Sequence, residues 1–405
     1  MKRERVLHHP PSGCDGAMSL VHELSVGDVR RLLIYRLGSL GDTVVALPCF
    51  HLIARRFPNA ERAMLTNVPV NGKAAPASGV LDQSGLVHRY FAYPMASRDV
   101  RQLGRLWWSI RRFCPEAVVY LIPPRALGSI RRDVRFFRLC GVSRIFGLPM
   151  GDLAEHRYDG AVDRYESEAS RLARCLSPLG DAQLEESRSW DLRLTISENA
   201  KATELLGRSC GQPTVACSVG TKQSIKDWGA ENWRGLFGRL SRILPGHRVV
   251  MLGAAEERAL SDWVADGWDG KRLNLCGELT PRESAAVMAR TVLFVGHDSG
   301  PMHLAAAVGT PCACVFSAHN KPGVWFPSGD NHRVVYHKTE CFNCRLVTCV
   351  ENAKHCITSV TVEEMMEAAL SALGAGRRSS PADADSCESW HERSGLVSDS
   401  ALGAL

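Results

Sequence analysis

Between residues 28 and 373 the apolar positions follow two different periods. Short unbroken apolar runs at 31–35 (RLLIY), 117–122 (AVVYLI), 214–218 (TVACS), 248–252 (RVVML), 292–295 (VLFV) and 312–316 (CACVF) read as strands. Stretches at 43–57, 231–243, 256–265 and 281–289 carry apolar residues three and four apart and read as helices. Strand and helix in alternation predict βαβ units, an α/β fold of parallel sheets covered by helices. The pattern occurs twice, interrupted by a polar, irregular stretch at 177–213. It predicts two doubly wound lobes, 28–195 and 214–373, with a linker at 196–213. Such lobes set a ligand cleft at the carboxyl ends of their strands. Residues 1–27 show no periodicity and read as a loose leader. Residues 374–405, rich in Ser, Asp, Gly and Ala, read as a disordered tail.

Composition narrows the class. A chain of 405 residues with 45% hydrophobic and 23% charged positions is not wholly disordered, and it is long enough to form its own core. Lys and Arg number 49 against 43 Asp and Glu, a net +6 that points to phosphate-bearing ligands or an anionic surface. No apolar run reaches the ~18–20 residues that span a bilayer. The basic N-terminus is broken by His8, His9, Pro10 and Pro11 where a secretory signal would be apolar. Without a signal, an odd count of 15 cysteines argues for a reducing compartment, the cytoplasm. Cys49, Cys217, Cys312 and Cys314 lie in apolar runs and read as small buried hydrophobes.

Three motifs fall where strands give way to helices. In Arg36-Leu-Gly38-Ser39-Leu-Gly41-Asp42-Thr43, Gly38 and Gly41 permit a tight turn, and Asp42 falls near a helix N-terminus. Asp42 either caps that helix or serves as a general base at the cleft. The spacing departs from the dinucleotide fingerprint G-x-G-x-x-G, which disfavours NAD. In His297-Asp298-Ser299-Gly300-Pro301-Met302-His303, Pro301 suits the first helical turn. The helix N-terminus behind the Ser-Gly turn is a ready anion site that His303 could reach. In Gly220-Thr221-Lys222-Gln-Ser224-Ile-Lys226-Asp227-Trp228, two lysines precede an amphipathic helix. A lysine point charge suits a diphosphate, though most loop lysines are merely solvated. Trp228 and Trp233 read first as packing residues.

Two further features stand apart. Cys341-x2-Cys344-x4-Cys349-x6-Cys356 could hold a structural zinc, an iron–sulfur group or labile disulfides, or could be free thiols. From 98 to 144 the chain is dense in arginine, including Arg98, Arg101, Arg105, Arg112, Arg125, Arg131 and Arg138, interleaved with Leu103, Leu106, Trp107 and Ile110. Either these are two amphipathic helices with solvated faces, or they contact anionic lipid headgroups or a phosphorylated acceptor.

These motifs together resemble glycosyltransferase family 9, the ADP-heptose:lipopolysaccharide heptosyltransferase family. RLLIYRLGSLGDTVVALPCFHLIARRFP resembles its N-terminal signature, and VGHDSGPMHLAAAVGTPCACVF its donor-site signature. SVGTKQSIKDWGAENW is similar to its segment with a lysine and tryptophan before a helix. The resemblance covers about residues 30 to 372. It implies a GT-B fold with the acceptor on the first lobe and the nucleotide sugar on the second. It also implies an inverting, metal-independent transfer that requires no cofactor. It assigns the catalytic base to Asp42, with Gly38, Ser39 and Gly41 as the acceptor-side loop. Thr221, Lys226, Glu256, Asp298, Ser299, Gly300 and His303 become donor contacts; Glu257 is the alternative to Glu256. His297 stands where Asn or Asp is common, and Gly229 where many members have Pro; either departure could alter donor preference.

The expected activity is therefore transfer of a sugar, heptose from ADP-heptose in the first instance, to a lipopolysaccharide core or related glycolipid. The expected partners are a nucleotide sugar, a glycolipid and the anionic cytoplasmic face of the inner membrane, with no nucleic acid. A nucleotide-sugar epimerase of the same fold and a non-catalytic lipid-binding or partner-binding module are the alternatives.

Overall fold

The computed structural model describes residues 29–68, 75–94, 99–207 and 212–379. Five parallel strands form the first sheet: β1 (Arg31–Tyr35), β2 (Glu61–Val68), β3 (Arg89–Pro94), β4 (Ala117–Tyr120) and β5 (Arg144–Phe146), in the order β3-β2-β1-β4-β5. A short antiparallel pair, β6 (Tyr158–Asp159) and β7 (Arg164–Tyr165), follows. The second sheet is also parallel. It consists of β8 (Thr214–Ser218), β9 (Arg248–Met251), β10 (Arg272–Asn274), β11 (Leu293–His297), β12 (Cys312–Phe316) and β13 (Arg333–Tyr336), in the order β10-β9-β8-β11-β12-β13. Residues of β8, β11 and β12 are buried throughout, as a parallel sheet covered on both faces requires. Cys217, Cys312 and Cys314 are buried in these strands, and Cys49 is buried in the first lobe.

The helical stretch expected at 43–57 starts earlier and divides at Ala46 into Leu40–Val45 and Leu47–Arg56. Pro48 at the second helix's start has no N–H to continue the first. The strands β2, β3, β5, β10 and β13 were absent from the expected set. Charged residues open each of β2, β3, β5, β10 and β13, and four of these strands form sheet edges, so their apolar runs are interrupted.

The segment at 196–213, expected as a linker, carries the helix Ile196–Leu206. Thr195 and Glu198 cap it reciprocally, and it packs on the helix Pro281–Met288. The last helix, Val362–Ser379, continues through 374–379, which were expected in the tail. The leader at 1–27 and the tail from 380 lie outside the described residues.

The lobes are tightly joined. One hydrophobic cluster passes from Leu32, Ile34 and Phe50 of the first to Phe294, Met302 and Cys314 of the second. Arg282, buried in the second lobe, donates to the carbonyls of Val80 (2.9 Å) and Leu192 (2.8 Å) and pairs with Glu198 at 2.6 Å. Backbone bonds from Tyr165 to Pro322 and from Glu168 to Val324 close another side. Parallel strands in both lobes send the β1 and β11 carboxyl ends, and the motifs that follow them, to this junction.

Candidate active site at the lobe junction

On the first lobe, Arg36 leaves β1 fully buried and donates to Leu121 O at 2.8 Å and to Asp42 O. Burial lowers its pKa, while Asp42 and Glu168 act to keep it charged. Gly38 adopts φ +137°, and its amide donates to Asn67 Oδ1 at 2.8 Å. A Cβ there would come within 2.4 Å of the Asp42 Cβ, so this position requires glycine twice over. Ser39 starts the helix Leu40–Val45. Asp42 Oδ2 accepts from the Ser39 amide (2.7 Å) and its hydroxyl (3.1 Å). Asp42 is thus a capping residue, but both cap bonds use one oxygen. Its Oδ1 remains available to accept a proton, and capping is compatible with a second use.

On the second lobe, β11 ends in His297, which is fully buried. Its Nε2 accepts from the Trp228 amide (3.1 Å) and from Trp233 Nε1 (3.2 Å). Two donors on Nε2 require the proton on Nδ1 and a neutral ring. Burial pushes its pKa down to about 4, against the opposing fields of Asp227 and Asp298. His297 therefore fastens the 220–229 loop to the strand end. Gly229 has φ +105°, a value proline cannot adopt, and its amide donates to Asp227 Oδ1 at 3.0 Å.

Asp298 follows, buried, with its Oδ2 2.8 Å from Lys226 Nζ; Lys226 also donates to the Asp298 carbonyl at 3.2 Å. Ser299 precedes the helix Gly300–Ala307 without capping it, and its buried hydroxyl has no partner among the described residues. A buried polar atom of this kind, beside free helix amides, suits a ligand oxygen. Thr221 is engaged locally: its hydroxyl donates to Gln223 O (3.2 Å) and accepts from the Gln223 amide (3.3 Å). Glu256 is exposed. Its neighbour Glu257 turns inward, bonded to the Ala254 amide (2.9 Å), and packs so closely that a Cβ on Gly220 would lie 1.9 Å from its carboxylate carbon.

The two motifs meet directly. A Cβ on Gly41 would lie 3.0 Å from His303 Cδ2, and one on Gly300 would lie 2.6 Å from Leu40 Cδ2. At this crossing the two lobes are in contact, with no space between them. His303 is buried between the lobes, and burial pushes its pKa down to about 4, with Asp298, Lys226 and Asp42 all in electrostatic reach. It is neutral near pH 7, so it would meet an anion as a hydrogen-bonding group and not as a charge.

Lys222 is a further cation on this loop. Partial burial of its tip lowers its pKa, opposed by the fields of Glu257, Asp42 and Glu256. Lys222 was visible in the motif but not singled out, because spacing does not reveal that Lys226 is already paired. His319 was missed altogether. It lies buried beyond the end of β12, bonded to Ser317 Oγ (2.7 Å) and Asn320 Nδ2 (3.1 Å), within reach of Lys226 and Asp298. Its place at a carboxyl strand end was the available signal. Asn67, near the end of β2, gave no such signal, because β2 itself was not among the expected strands.

The cysteine segment braces this loop. Val347 O accepts from the Ile225 amide at 3.2 Å, and Lys354 donates to Asp227 O at 3.1 Å. Cys356 is buried; burial, and then the nearby Cys341, Cys344 and Cys349, raise its pKa. Among the described residues, no three His, Cys, Asp or Glu side chains are arranged to hold a metal ion, so zinc, one of the four readings of these cysteines, has no support here. The described cysteines are free thiols. In the arginine-rich stretch, Arg125 is turned inward to Asp133 at 2.5 Å, whereas Arg101, Arg105 and Arg112 are exposed; Arg98 lies outside the described residues.

Residues 156–355 match the profile of Glycosyltransferase family 9 (heptosyltransferase). It is 32% identical over 123 residues to lipopolysaccharide heptosyltransferase 3 of Escherichia coli K12, covering 30% of this chain and 33% of that one. The chain spans between 33% and 47% of the length of the curated relatives it matches. In structure it is similar to a glycosyl transferase family 9 protein from Veillonella parvula: TM-score 0.67, 16% identity, 87% of this chain and 98% of that one. It is also similar to E. coli ADP-heptose lps heptosyltransferase II: TM-score 0.59, 16% identity, 86% of this chain and 99% of the other. The architecture is GT-B.

Proposed function

We propose that this protein is a glycosyltransferase that moves a sugar, heptose from ADP-heptose in the first instance, onto a lipopolysaccharide core or related glycolipid. The observation that carries the proposal is the juxtaposition of Asp42 with the Asp298–His303 turn, together with the family 9 match. Transfer from a nucleotide sugar needs a base for the acceptor hydroxyl and fixed positive potential for the departing diphosphate. Asp42 Oδ1, not used by the helix cap, supplies the base. The N-terminus of Gly300–Ala307, the Ser299 hydroxyl and Lys222 supply the potential.

Lys226 has a different part. Paired with Asp298, it contributes little net charge but fixes the turn on which the amides are presented. A single carboxylate facing the donor turn suits direct displacement with inversion, the acceptor oxygen attacking opposite the leaving diphosphate. Protein groups alone carry the charge in this scheme. The tight contact at Leu40 and Gly300 helps to exclude water, which limits donor hydrolysis.

No helix among the described residues is long and apolar enough to cross a membrane. We place the protein in the cytoplasm, against the inner membrane face where a lipid-anchored acceptor is presented. The test is incubation of the full chain with ADP-heptose, with and without a lipopolysaccharide-core acceptor, followed by NMR. Sugar transfer only when acceptor is present supports the reading. A changed sugar nucleotide without acceptor makes it an epimerase, and binding without turnover makes it a binding module.

A further inference from the structure

The helices Val100–Phe113 and Leu127–Leu139 cover one face of the first sheet, but they bury little of themselves. In the first, only Ile110 and Phe113 are buried, packed with Leu33, Tyr35 and Val118 beneath. Val100 (81% exposed), Leu103 and Trp108 (55%) turn outward, as does Leu139 (70%) on the neighbouring helix. Trp107 Nε1 donates to Leu139 O at 3.0 Å and ties the two helices together. Between these apolar side chains stand exposed arginines: Arg101, Arg105 and Arg112 on the first helix, with others on the second. Arg112 lies over the Trp108 ring, 5.4 Å from its centroid. No acidic residue lies within Val100–Phe113, and on Leu127–Leu139 the one carboxylate, Asp133, is buried and bound to Arg125 and Tyr120.

We propose that this helical face docks on an anionic phospholipid surface, with the outer side chains of Val100–Phe113 at the headgroup level. The inference rests on the glycolipid reading above, because it supplies the surface on which such an acceptor would be met. The exposed arginines have no acidic residue between them on either helix's outer side, so the face is complementary to a uniformly anionic surface. A bilayer boundary accommodates both charged and apolar side chains: tryptophan and leucine enter the acyl boundary while arginines snorkel to phosphates. Geometry also fits. In this parallel sheet, Val100 follows β3 at the carboxyl end of the strands, the end at which Asp42 follows β1. A helix of this length is about 21 Å long, and it runs from that end along the flank of the lobe.

The test is co-sedimentation of the full chain with vesicles of phosphatidylcholine, with or without phosphatidylglycerol. Binding to the anionic vesicles only, weakened by added salt, is expected. Reversing charge at Arg101, Arg105 and Arg112 (each to Glu) should lower partitioning at least about a hundredfold, near fivefold per arginine. L103S combined with W108S should lower it about tenfold. All five side chains are exposed, so both variants should unfold at the wild-type temperature and transfer sugar normally to a short water-soluble acceptor. Equal binding to both vesicle types, no binding to either, or variants that bind like the wild type would overturn the proposal. So would a dimer in sedimentation velocity that is lost in L103S/W108S, since the face would then belong to a second copy. D42A should bind vesicles normally. Vesicle binding without transfer to any acceptor would therefore sink the enzymatic reading and leave the lipid surface standing.

Discussion

Replacing His297 with Phe tests how the donor-side loop is held. The phenyl ring is larger than the imidazole, so no cavity forms, and any overpacking is the same at every pH. What is lost is Nε2 as acceptor for two buried donors, the Trp228 amide and Trp233 Nε1. A stranded buried donor costs about 1–3 kcal/mol, so H297F should be about 4 kcal/mol less stable near neutral pH. The deficit should depend on pH. The native ring has its pKa pushed down from 6.5 to about 4. Above 6.5 both folded and unfolded states are neutral, and the full stability is present. Below that, the unfolded chain takes up a proton the native state refuses, and wild-type stability falls by about 1.4 kcal/mol per pH unit from this group. At about pH 5 the wild type has lost roughly 2 kcal/mol that the variant never had. The gap between them should close to about half. Urea unfolding followed by tryptophan fluorescence at neutral and acid pH measures both values; His303 and His319 are common to both proteins and cancel. A deficit under about 1 kcal/mol at neutral pH, or one that does not change on acidification, would refute the neutral double-acceptor role.

Asp42→Asn should reduce transfer by about 10²–10⁴-fold with nucleotide-sugar affinity by calorimetry unchanged; near-normal turnover would remove Asp42 from the chemistry. Lys226→Ala and Lys222→Ala should differ in kind. The first strands buried Asp298 and should cost about 3–5 kcal/mol in urea unfolding. The second should leave stability within about 0.5 kcal/mol and weaken nucleoside-diphosphate affinity about tenfold; the reverse pattern would exchange the roles given to the two lysines. Gly38→Ala should cost about 1–3 kcal/mol from its left-handed backbone and displace Asp42, so transfer should fall further than stability accounts for. Wild-type kinetics in G38A would show that the loop tolerates the shift.

Much of the frame is legible in the chain alone. The buried strands β1, β8, β11 and β12 are short apolar runs, because a strand covered on both faces has no polar position to spare. The turns at Gly38–Asp42 and Ser299–Gly300 are legible too, since positive φ, capping and a proline in the first turn are local demands met by local residues. Edge strands such as β3 and β10 are not, since their polar residues meet solvent, and only pairing with β2 and β9 makes them strands.

What the chain could not disclose is which long-range partner each side chain finds. Sequence put Lys222 and Lys226 in one loop; only the fold brings Asp298 to one of them and leaves the other free to meet a diphosphate. Sequence left His297 and His303 as motif histidines. Burial between sheets and lobes, a property of the whole packed molecule, makes both rings neutral. The order of apolar and polar residues determined the elements and where they turn, because those are governed by neighbours a few positions away. Charge state and accessibility at the site were decided by the tertiary structure, because desolvation depends on atoms brought in from far along the chain.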